Sequence, residues 1–569
     1  MALQLSPGVN TSEVDLTTVV PSVSTSAGAF VGSFNWGPVN ERMLIDSEIT
    51  LAKTFTAPDG DDFVSFFSAA NFLAYGNNLT VVRAANTASN NAVANSLAPG
   101  IQIANADVYQ YSFLTVDNNA YGSFAARYPG ALGNSIQVQV FDSANTTLFN
   151  SWSLKNSFAG TPTTSDSVTA AGGANDQFHI AVVDAGGLFS GVKGTVLEVF
   201  PFVSKAIDAK DPLGNSNYYK NVVFHNSHFV QAMCSPDNAN THATWGQTSN
   251  TTFARIDAAT FPLGVMTLTL TGGVDAAVTD ADLITGWGLF TNKELIDVSL
   301  AFTGDADVTV QQWVIDNVAT TRKDLVAFIS PPSSNVINQA GFETVNIQNW
   351  LGALARSSSY VVADSGWKYQ FDKYNNTYRW IPLNADIAGL CVNTDSVRDP
   401  WWSPAGYNRG AIKNAVKLAW NPNQTDRDVI YPMGVNPVIS QQGQGIVLFG
   451  DKTLQAKPSA FDRINVRRLF IVLEKSIALA AKYSLFEFND AFTQAQFVAL
   501  VEPFLRNIKG RRGIYDYKVV CDATNNTPQV VDSNQFVGDI YVKPARSINF
   551  IQLNFVAVRT GVSFSEITG

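Results

Sequence analysis

Cysteine and histidine are scarce in this 569-residue chain, which contains three of the first and four of the second. Cys234, Cys391 and Cys521 are widely separated and odd in number, which does not suit a disulfide framework, so we expect synthesis in a reducing cytosol. Charged side chains are also few, at 15% of all residues, against about a quarter in typical domains. Such a polar but weakly charged surface fits a protein that packs against copies of itself, although many secreted β-proteins share it.

The chain also lacks a long uninterrupted apolar run. Its most apolar helical stretch, residues 469–486, contains Glu474, Lys475 and Lys482, whereas a transmembrane helix needs about 20 predominantly apolar residues. The first residues turn polar at once and show no signal-peptide pattern. The sequence therefore predicts a soluble protein without membrane insertion, assembled in the cytoplasm in which it is made.

Motifs for metals, phosphates and catalysis are incomplete. His225, His228, Cys234 and His242 lie within eighteen residues, but structural zinc sites use tighter and more regular pairs, which favours ordinary loop residues. The segment 186–194 approaches a phosphate-binding loop, but Lys193 is displaced by one position and no Ser or Thr follows it directly. No serine occupies a nucleophile elbow. We therefore expect no enzymatic activity, no cofactor, and no catalytic, cofactor-binding or metal-binding residues.

One aromatic-rich region leaves a catalytic alternative open. Asp364 and Asp372 lie near Trp367, Tyr369 and Trp380, and paired carboxylates are the groups that cleave glycosidic bonds. A structural aromatic loop explains the same residues without any chemistry. The alternative to a structural protein is therefore a carbohydrate-binding or carbohydrate-cleaving protein that uses residues 367–402.

Charge divides the chain into two parts. The last 140 residues hold fifteen Lys and Arg against eleven Asp and Glu, whereas the first 429 hold 22 against 36. Because the whole chain has a net charge of −10, an acidic protein surface is a better partner for the basic part than nucleic acid. A solvated helix face explains the basic residues equally well. The candidate contact residues are Arg463, Arg467, Lys509, Arg511 and Arg512.

Both ends of the chain contain a short strand-like pattern. In residues 1–22 apolar and polar side chains alternate between prolines, which predicts an extended arm. The C-terminal segment alternates in the same way, and its strand can pair within its own domain or with another molecule. The candidate arm residues are Val14, Leu16, Val19, Ile551, Leu553, Phe555 and Val558.

Between these arms the patterns predict a multidomain α+β and α/β fold. A low density of charge and short β-type runs indicate an inserted β-rich domain, and alternating strands and helices indicate an inserted α/β domain. The predicted division is an arm at 1–22, a discontinuous middle domain at 23–90 and 346–429, the β-rich insertion at 91–198, the α/β insertion at 199–345, and a C-terminal α/β domain at 430–569.

Two amphipathic helices followed by strands are predicted in the C-terminal domain. Ser459 and Asp462 resemble a capping box before the first helix, and Thr493 and Gln496 resemble one before the second. Pro503 is expected to bend or restart the second helix. The strands are expected in the segments YDYKVVCD and DIYVKPA.

Several short segments follow one another in a characteristic order. In the C-terminal half they are PWWSPAGYNRG at 400–410, GVNPV at 434–438, GQGIVLFGDKTL at 443–454, FDRINVRRL at 461–469 and LFEFND at 485–490. Earlier in the chain they are PGVNTSEVD, ARYPGALGNSIQVQV and LTLTGGVD. In this order and spacing the segments resemble the contractile tail sheath proteins of T-even-like myophages, and the resemblance covers the whole chain.

This resemblance implies a virion subunit that forms hexameric rings, stacked as a helical sheath around a tail tube. The C-terminal domain would be innermost and the inserted domains outermost, so the basic residues would face the tube. N- and C-terminal arms would link neighbouring subunits by adding strands to their sheets. The implied partners are the tube, baseplate and tail terminator proteins, and contraction would drive the tube through the host envelope. A phage-derived injection particle would use the same kind of sheath.

Overall fold

The computed structural model describes residues 20–21, 23–94, 100–115, 121–235, 244–256 and 264–552. The chain divides into two compact units. The larger unit consists of Ser24–Val397 and Pro404–Pro458, and the smaller unit includes Arg398–Ser403 and the chain from Ser459 onward. Among the residues described here, no helix is both long and apolar enough to cross a membrane.

The strands are β1 (Gly28–Ser33), β2 (Arg42–Ile45), β3 (Leu79–Ala84), β4 (Phe124–Ala126), β5 (Ile136–Phe141), β6 (Gln177–Asp184), β7 (Thr195–Ser204), β8 (Val230–Ala232), β9 (Val265–Thr269), β10 (Leu300–Phe302), β11 (Val326–Ile329), β12 (Val361–Asp364), β13 (Trp367–Asp372), β14 (Thr377–Pro382), β15 (Lys417–Leu418), β16 (Val435–Asn436), β17 (Val438–Gln441), β18 (Gly445–Leu448), β19 (Ile514–Val520) and β20 (Asp539–Pro544).

The helices are α1 (Glu48–Phe55), α2 (Phe63–Leu73), α3 (Ala106–Ser112), α4 (Thr146–Ser151), α5 (Asp166–Ala170), α6 (Tyr219–Asn226), α7 (Asp280–Gly288), α8 (Val308–Val314), α9 (Thr320–Arg322), α10 (Ser333–Val336), α11 (Glu343–Leu354), α12 (Asn384–Val397), α13 (Gln424–Ile430), α14 (Ile464–Ala481), α15 (Ala491–Gly510) and α16 (Pro528–Asp532).

A seven-stranded sheet forms the centre of the larger unit. Its order is β16-β12-β11-β10-β1-β3-β2, and all pairs are parallel except β2 with β3. β1, β3 and β11 are almost completely buried along their length, as expected for parallel strands that are covered on both faces. On one face Phe30 and Phe72 stack on Phe302, and on the other Trp287 and Val310 join the core. The expected α/β layer is therefore present.

A β-rich insertion interrupts this sheet between β3 and β10. It contains an antiparallel sheet of order β7-β6-β5-β9 and the pair β4-β8. Its two ends lie side by side, because Asn90 and Val274 exchange backbone hydrogen bonds of 3.0 and 3.1 Å. We call this paired entry and exit the neck of the insertion.

One arginine ties the insertion to the sheet. Arg83 of β3 is buried, and its guanidinium donates hydrogen bonds to the carbonyl oxygens of Phe34, Gly37 and Pro129 at 2.6, 2.8 and 2.8 Å. Pro129 belongs to the insertion, whereas the other two residues follow β1. A buried guanidinium needs such acceptors, so the three backbone segments are held together.

The structure divides the chain differently from the boundaries predicted by the sequence. The predicted border between 198 and 199 falls inside β7, and β9 joins the same sheet, so the insertion continues to the neck. The remaining part of the predicted 199–345 domain supplies β10 and β11 to the central sheet. The C-terminal unit begins at Ser459 rather than 430, because β16 pairs with β12 of the central sheet. Composition changes locally, whereas strand pairing joins distant segments.

The smaller unit contains the two predicted helices and the two predicted strands. Leu469 and Leu473 of α14 pack with Phe497, Val501 and Leu505 of α15, at the spacing of an amphipathic helix. β19 and β20 pair antiparallel and confirm both strand predictions.

The predicted helix starts are wrong. α14 begins at Ile464 after Arg463, which makes no side-chain cap, and α15 begins after Asp490, whose carboxylate accepts the backbone N–H of Thr493. For α15, the cap at Asp490 lies three residues before the predicted cap at Thr493, so the helix is longer than predicted. α15 also continues through Pro503 without a restart.

Candidate functional site: a basic face on the smaller unit

The two-stranded sheet of the smaller unit has one apolar and one polar face. Tyr517 and Val519 of β19, with Ile540 and Val542 of β20, pack on the core of the unit. The alternate positions point outward, because successive side chains in a strand face opposite sides. The exposed members of this second face are Asp516, Lys518, Tyr541 and Lys543.

Positive charge dominates the exposed face. The ammonium of Lys509, at the end of α15, lies 2.9 Å from the carboxylate of Asp516, which is paired across the sheet with Lys543. The hydrogen bond from Lys509 holds the pKa of Asp516 below its ordinary value, and Lys543 adds to the effect. Lys518 lies two residues further along the same face. Because three lysines and one aspartate occupy this side of the two strands and the end of α15, we call this surface the basic face.

Arg511 and Arg512 follow the end of α15 and contact the segment Arg398–Ser403 of the same unit. Arg511 forms an ion pair with Asp399 and lies 5.2 Å above the ring of Trp401. Arg512 has a left-handed backbone with φ of 65° and lies 5.5 Å above Trp402. Both arginines remain partly exposed, and cation–π contacts hold their positions, while the charge of Arg511 is also paired with Asp399.

The structure places the other two candidate arginines differently. Arg463 is largely covered, and its guanidinium lies 3.7 Å from Asp462. Arg467 is only 5% exposed and packs 4.0 Å above the ring of Phe461. The helical pattern put Arg467 on a polar face, but the first turns of α14 are buried on every side. The structure therefore leaves Lys509, Arg511 and Arg512 exposed around the end of α15, whereas Arg467 is buried.

Sequence reasoning missed Lys518 and Lys543. The sequence contained the pattern needed to find them, because each lysine alternates with apolar residues inside a predicted strand. Applying the two-residue period to both strands would have placed them on the face opposite to Tyr517 and Val542. Pairing Asp516 with Lys543 required the register of the two strands, which the sequence does not specify.

Most candidate arm residues lie outside the described residues, namely Val14, Leu16, Val19, Leu553, Phe555 and Val558. Ile551 is described, is 77% exposed and belongs to no regular element. Within the described part of the chain, β19 and β20 pair only with each other. Both outer edges of this sheet therefore offer backbone groups to further strands.

The segment 186–194, whose sequence approaches a phosphate-binding loop without completing it, surrounds a side chain of the protein itself. The carboxylate of Asp184 accepts the backbone N–H groups of Gly187, Leu188, Phe189 and Ser190. Burial alone would raise the pKa of Asp184, but hydrogen bonds, first from the Ser135 hydroxyl, hold it below its ordinary value. The inward N–H groups inferred from the glycine spacing exist, and a carboxylate fills the place of an anion.

The histidine cluster shows no metal-binding geometry among the residues that the structure covers, where no group of three His, Cys, Asp or Glu side chains converges. His242 lies outside those residues. Cys234 is buried, and its thiol donates to the carbonyl oxygen of Gly122 at 3.1 Å. Cys234 therefore packs inside the protein and His225 lies in α6, so neither is an ordinary loop residue.

The aromatic region forms a structural hairpin. Asp364 ends β12 and Asp372 ends β13, and both carboxyls are buried, at 1% and 0% exposed. Asp364 accepts a hydrogen bond from the Ser330 hydroxyl, and Asp372 lies 3.5 Å from the guanidinium of Arg379. Trp367 and Trp401 are also buried. The two carboxyls therefore do not line an open cleft that could take a saccharide.

Family models match the two parts of the chain that carry the central sheet and the basic face. A model described as phage tail sheath protein central domain matches residues 276–454. A second, described as phage tail sheath C-terminal domain, matches residues 456–557. The border between the two matches agrees with the start of the smaller unit at Ser459.

Known proteins are similar over the full length. The chain is 35% identical over 670 residues to the tail sheath protein of Vibrio phage KVP40, covering 99% of this chain and 100% of that protein. It is 34% identical over 657 residues to the tail sheath protein of Enterobacteria phage T4, covering 99% of both. The contracted PVC sheath complex of an extracellular contractile injection system shares the fold, with a TM-score of 0.50, 14% identity and 98% coverage of both chains.

Proposed function

The chain belongs to the family of phage tail sheath proteins, and from that premise we propose that its copies polymerise as stacked hexameric rings around a tail tube. The 35% identity to a tail sheath protein over the whole length carries this proposal. In this role the sheath contracts and drives the tube through the host envelope. The chain acts as a structural subunit of the virion tail, and its proposed partners are further copies, the tube, the baseplate and the tail terminator.

Open sheet edges support polymerisation through terminal arms. β19 and β20 leave both outer edges without a partner strand in the described part of the chain. A strand from another copy can pair there through main-chain hydrogen bonds, without a particular side chain. Head-to-tail contacts that do not close on themselves generate helical filaments.

A rigid-body mechanism fits contraction. Each unit has its own core, so subunits can exchange one packing for another while the units stay folded. The extended sheath then stores free energy as a metastable lattice, and formation of the contracted interfaces releases it. The fold shared with a contracted sheath complex supports this mechanism.

The basic face is the surface that we propose for the tube. Lys509, Lys518, Lys543 and Arg512 present positive charge from one sheet and one helix end. An acidic tube surface would be attracted to it, and such attraction guides orientation as well as affinity.

Truncation tests the arm contacts. The first variant lacks residues 1–20 and the second ends after Arg546, which preserves β20 and the hydrogen bond from Ala545 to Gly513. We expect both to fold as judged by circular dichroism, and neither to form the hollow polymers that the full chain forms in electron micrographs. Normal polymers from either variant would contradict that arm, and a full chain without polymers would contradict the proposed function.

Charge reversal tests the tube contact. The double variant Lys518→Glu with Lys543→Glu should lose sedimentation with purified tubes while it still polymerises alone. The wild-type interaction should weaken with added salt, because exposed charges are screened beyond about 10 Å at 0.1 M ionic strength. Lys293→Glu, at an exposed position of the larger unit, is the matched control. The assignment would be contradicted if the double variant lost tube binding and polymerisation to the same extent, or if it lost neither.

A further inference from the structure

The loop between α14 and α15 exposes a cluster of large apolar side chains. Their exposure ranges from 62% to 105%, whereas a monomeric protein rarely leaves such a patch uncovered without an interaction to make. We call this cluster the aromatic tip, and its members are Tyr483, Leu485, Phe486, Phe488 and Phe492.

The backbone is built to present these rings outward. Phe486 has φ of 71°, a left-handed conformation that is costly for a bulky side chain and that occurs preferentially at functional sites. Asn489 holds the base of the loop, since its amide donates to the carbonyl oxygen of Gln535 at 2.8 Å and to the side chain of Asn526 at 3.2 Å. Gln494 donates back to Asn489. An ordered loop loses little conformational entropy when it binds.

The size of the aromatic tip matches a protein interface. Large aromatic side chains bury about 150–250 Å² each, so four of them and a leucine at these exposures offer on the order of 700–800 Å². One partner of a standard protein interface contributes about 800 Å². The tip alone therefore supplies the apolar centre of a stable contact.

Geometry separates this contact from the basic face. α15 has 20 residues and is therefore about 30 Å long. The aromatic tip lies at its first turn, with Glu487 and Asp490 as neighbours, and the basic face begins at Lys509 in its last turn. A strongly charged surface suits the basic face but not the aromatic tip, because charged groups buried against apolar rings lose their hydration. The aromatic tip therefore needs a partner surface with few charges.

We propose that the aromatic tip docks against a second copy of this chain. Charged residues make up only 15% of the sequence, so a copy offers the weakly charged surface that the tip requires. This inference rests on the proposed sheath function and adds a polymer contact that is distinct from the arms. It leaves the basic end of the same helix free for the tube.

Cross-linking from the tip tests the partner. In Phe486→Cys a benzophenone maleimide will label only the new thiol, because Cys234, Cys391 and Cys521 are buried. Irradiated polymers that include the tube should give a covalent product of twice the 61.4 kDa chain mass. A product with the tube protein, or no cross-linked product, would overturn the proposal.

Polymerisation of an apolar-to-polar variant gives a second readout. Phe486→Ser with Phe488→Ser should raise the critical concentration for polymerisation at least tenfold, whereas Tyr111→Ser, at a position 91% exposed in the larger unit, should leave it unchanged. Circular dichroism melting should be unchanged in both, since the side chains are exposed. An unchanged critical concentration would overturn this inference alone, and a wild-type chain that never polymerises would overturn the proposed function as well.

Discussion

Single residues acquire their properties from burial that the sequence does not reveal. Asp364, 1% exposed at the end of β12, accepts hydrogen bonds from the Ser330 hydroxyl and the Gly366 N–H. Burial raises the pKa of Asp364 to about 8, although these two hydrogen bonds act to lower it. At neutral pH this carboxyl is therefore mostly protonated inside the central sheet, where a charge would be costly.

Asp364→Asn should flatten the dependence of stability on pH. The unfolded carboxyl releases its proton near pH 4 and the folded one near pH 8, so the wild-type chain loses stability as pH rises between these values. Because the amide of the variant cannot ionise, its free energy of unfolding should not show the pH-dependent loss, on the order of 2–5 kcal/mol, that we expect for the wild-type chain. Urea unfolding from pH 5 to 9 measures the difference.

Asp211→Asn is the control for that pH series. Hydrogen bonds from Asn215 hold the pKa of this exposed carboxyl below its ordinary value, so it stays ionised throughout the range. Parallel pH profiles for Asp364→Asn and the wild-type chain would show that Asp364 is ionised in the folded protein.

At the level of elements, helices and strands were predictable where their pattern is local. The apolar spacing of α14 and α15 and the alternation in β19 and β20 identified all four elements. The start of α15 was missed because Asp490 caps this helix earlier than the predicted box, and that of α14 because the helix begins at Ile464 without a side-chain cap. The burial of Arg467 was missed because α14 is surrounded at its first turns, which only the tertiary packing determines.

Leu505→Ala should destabilise α15. Leu505 is fully buried between α14 and the sheet of the smaller unit, and removing such a side chain costs about 2–5 kcal/mol. Hydrogen exchange of the α15 amides should accelerate accordingly. Leu485→Ala changes the same residue type at the aromatic tip, where it is exposed, and should alter stability by less than about 0.5 kcal/mol. Equal acceleration in both variants would contradict the packing described for α15.

For the whole molecule, sequence reasoning recovered the multidomain α/β character but not its borders. The β-rich insertion was recognised by its low charge up to 198, yet β7 and β9 extend it to the neck. Likewise the basic face was inferred from five residues, of which three lie together, and two further lysines required strand register. Nonlocal pairing explains both differences.

Replacing residues 91–273 with a short Gly-Ser linker should leave the central sheet folded. The insertion contributes no strand to the seven-stranded sheet, and Asn90 and Val274 are already hydrogen-bonded neighbours. Arg83 loses its bond to Pro129, at a cost of about 1–3 kcal/mol. Trp36 also loses its ring contacts with Tyr128 and Phe189, so we expect a lower melting temperature. Electron micrographs should still show polymers. An unfolded or aggregated product would indicate that the insertion is needed for folding of the sheet.

The neck also has an evolutionary and practical consequence. Because the insertion leaves and re-enters through the hydrogen-bonded pair Asn90 and Val274, length changes inside it do not shift the register of β3 or β10 against β1. Lineages can therefore enlarge, exchange or lose this module without redesigning the polymer. The same attachment point would accept a foreign domain whose termini are close together, and a sheath built from such chimeras would display that domain at regular intervals.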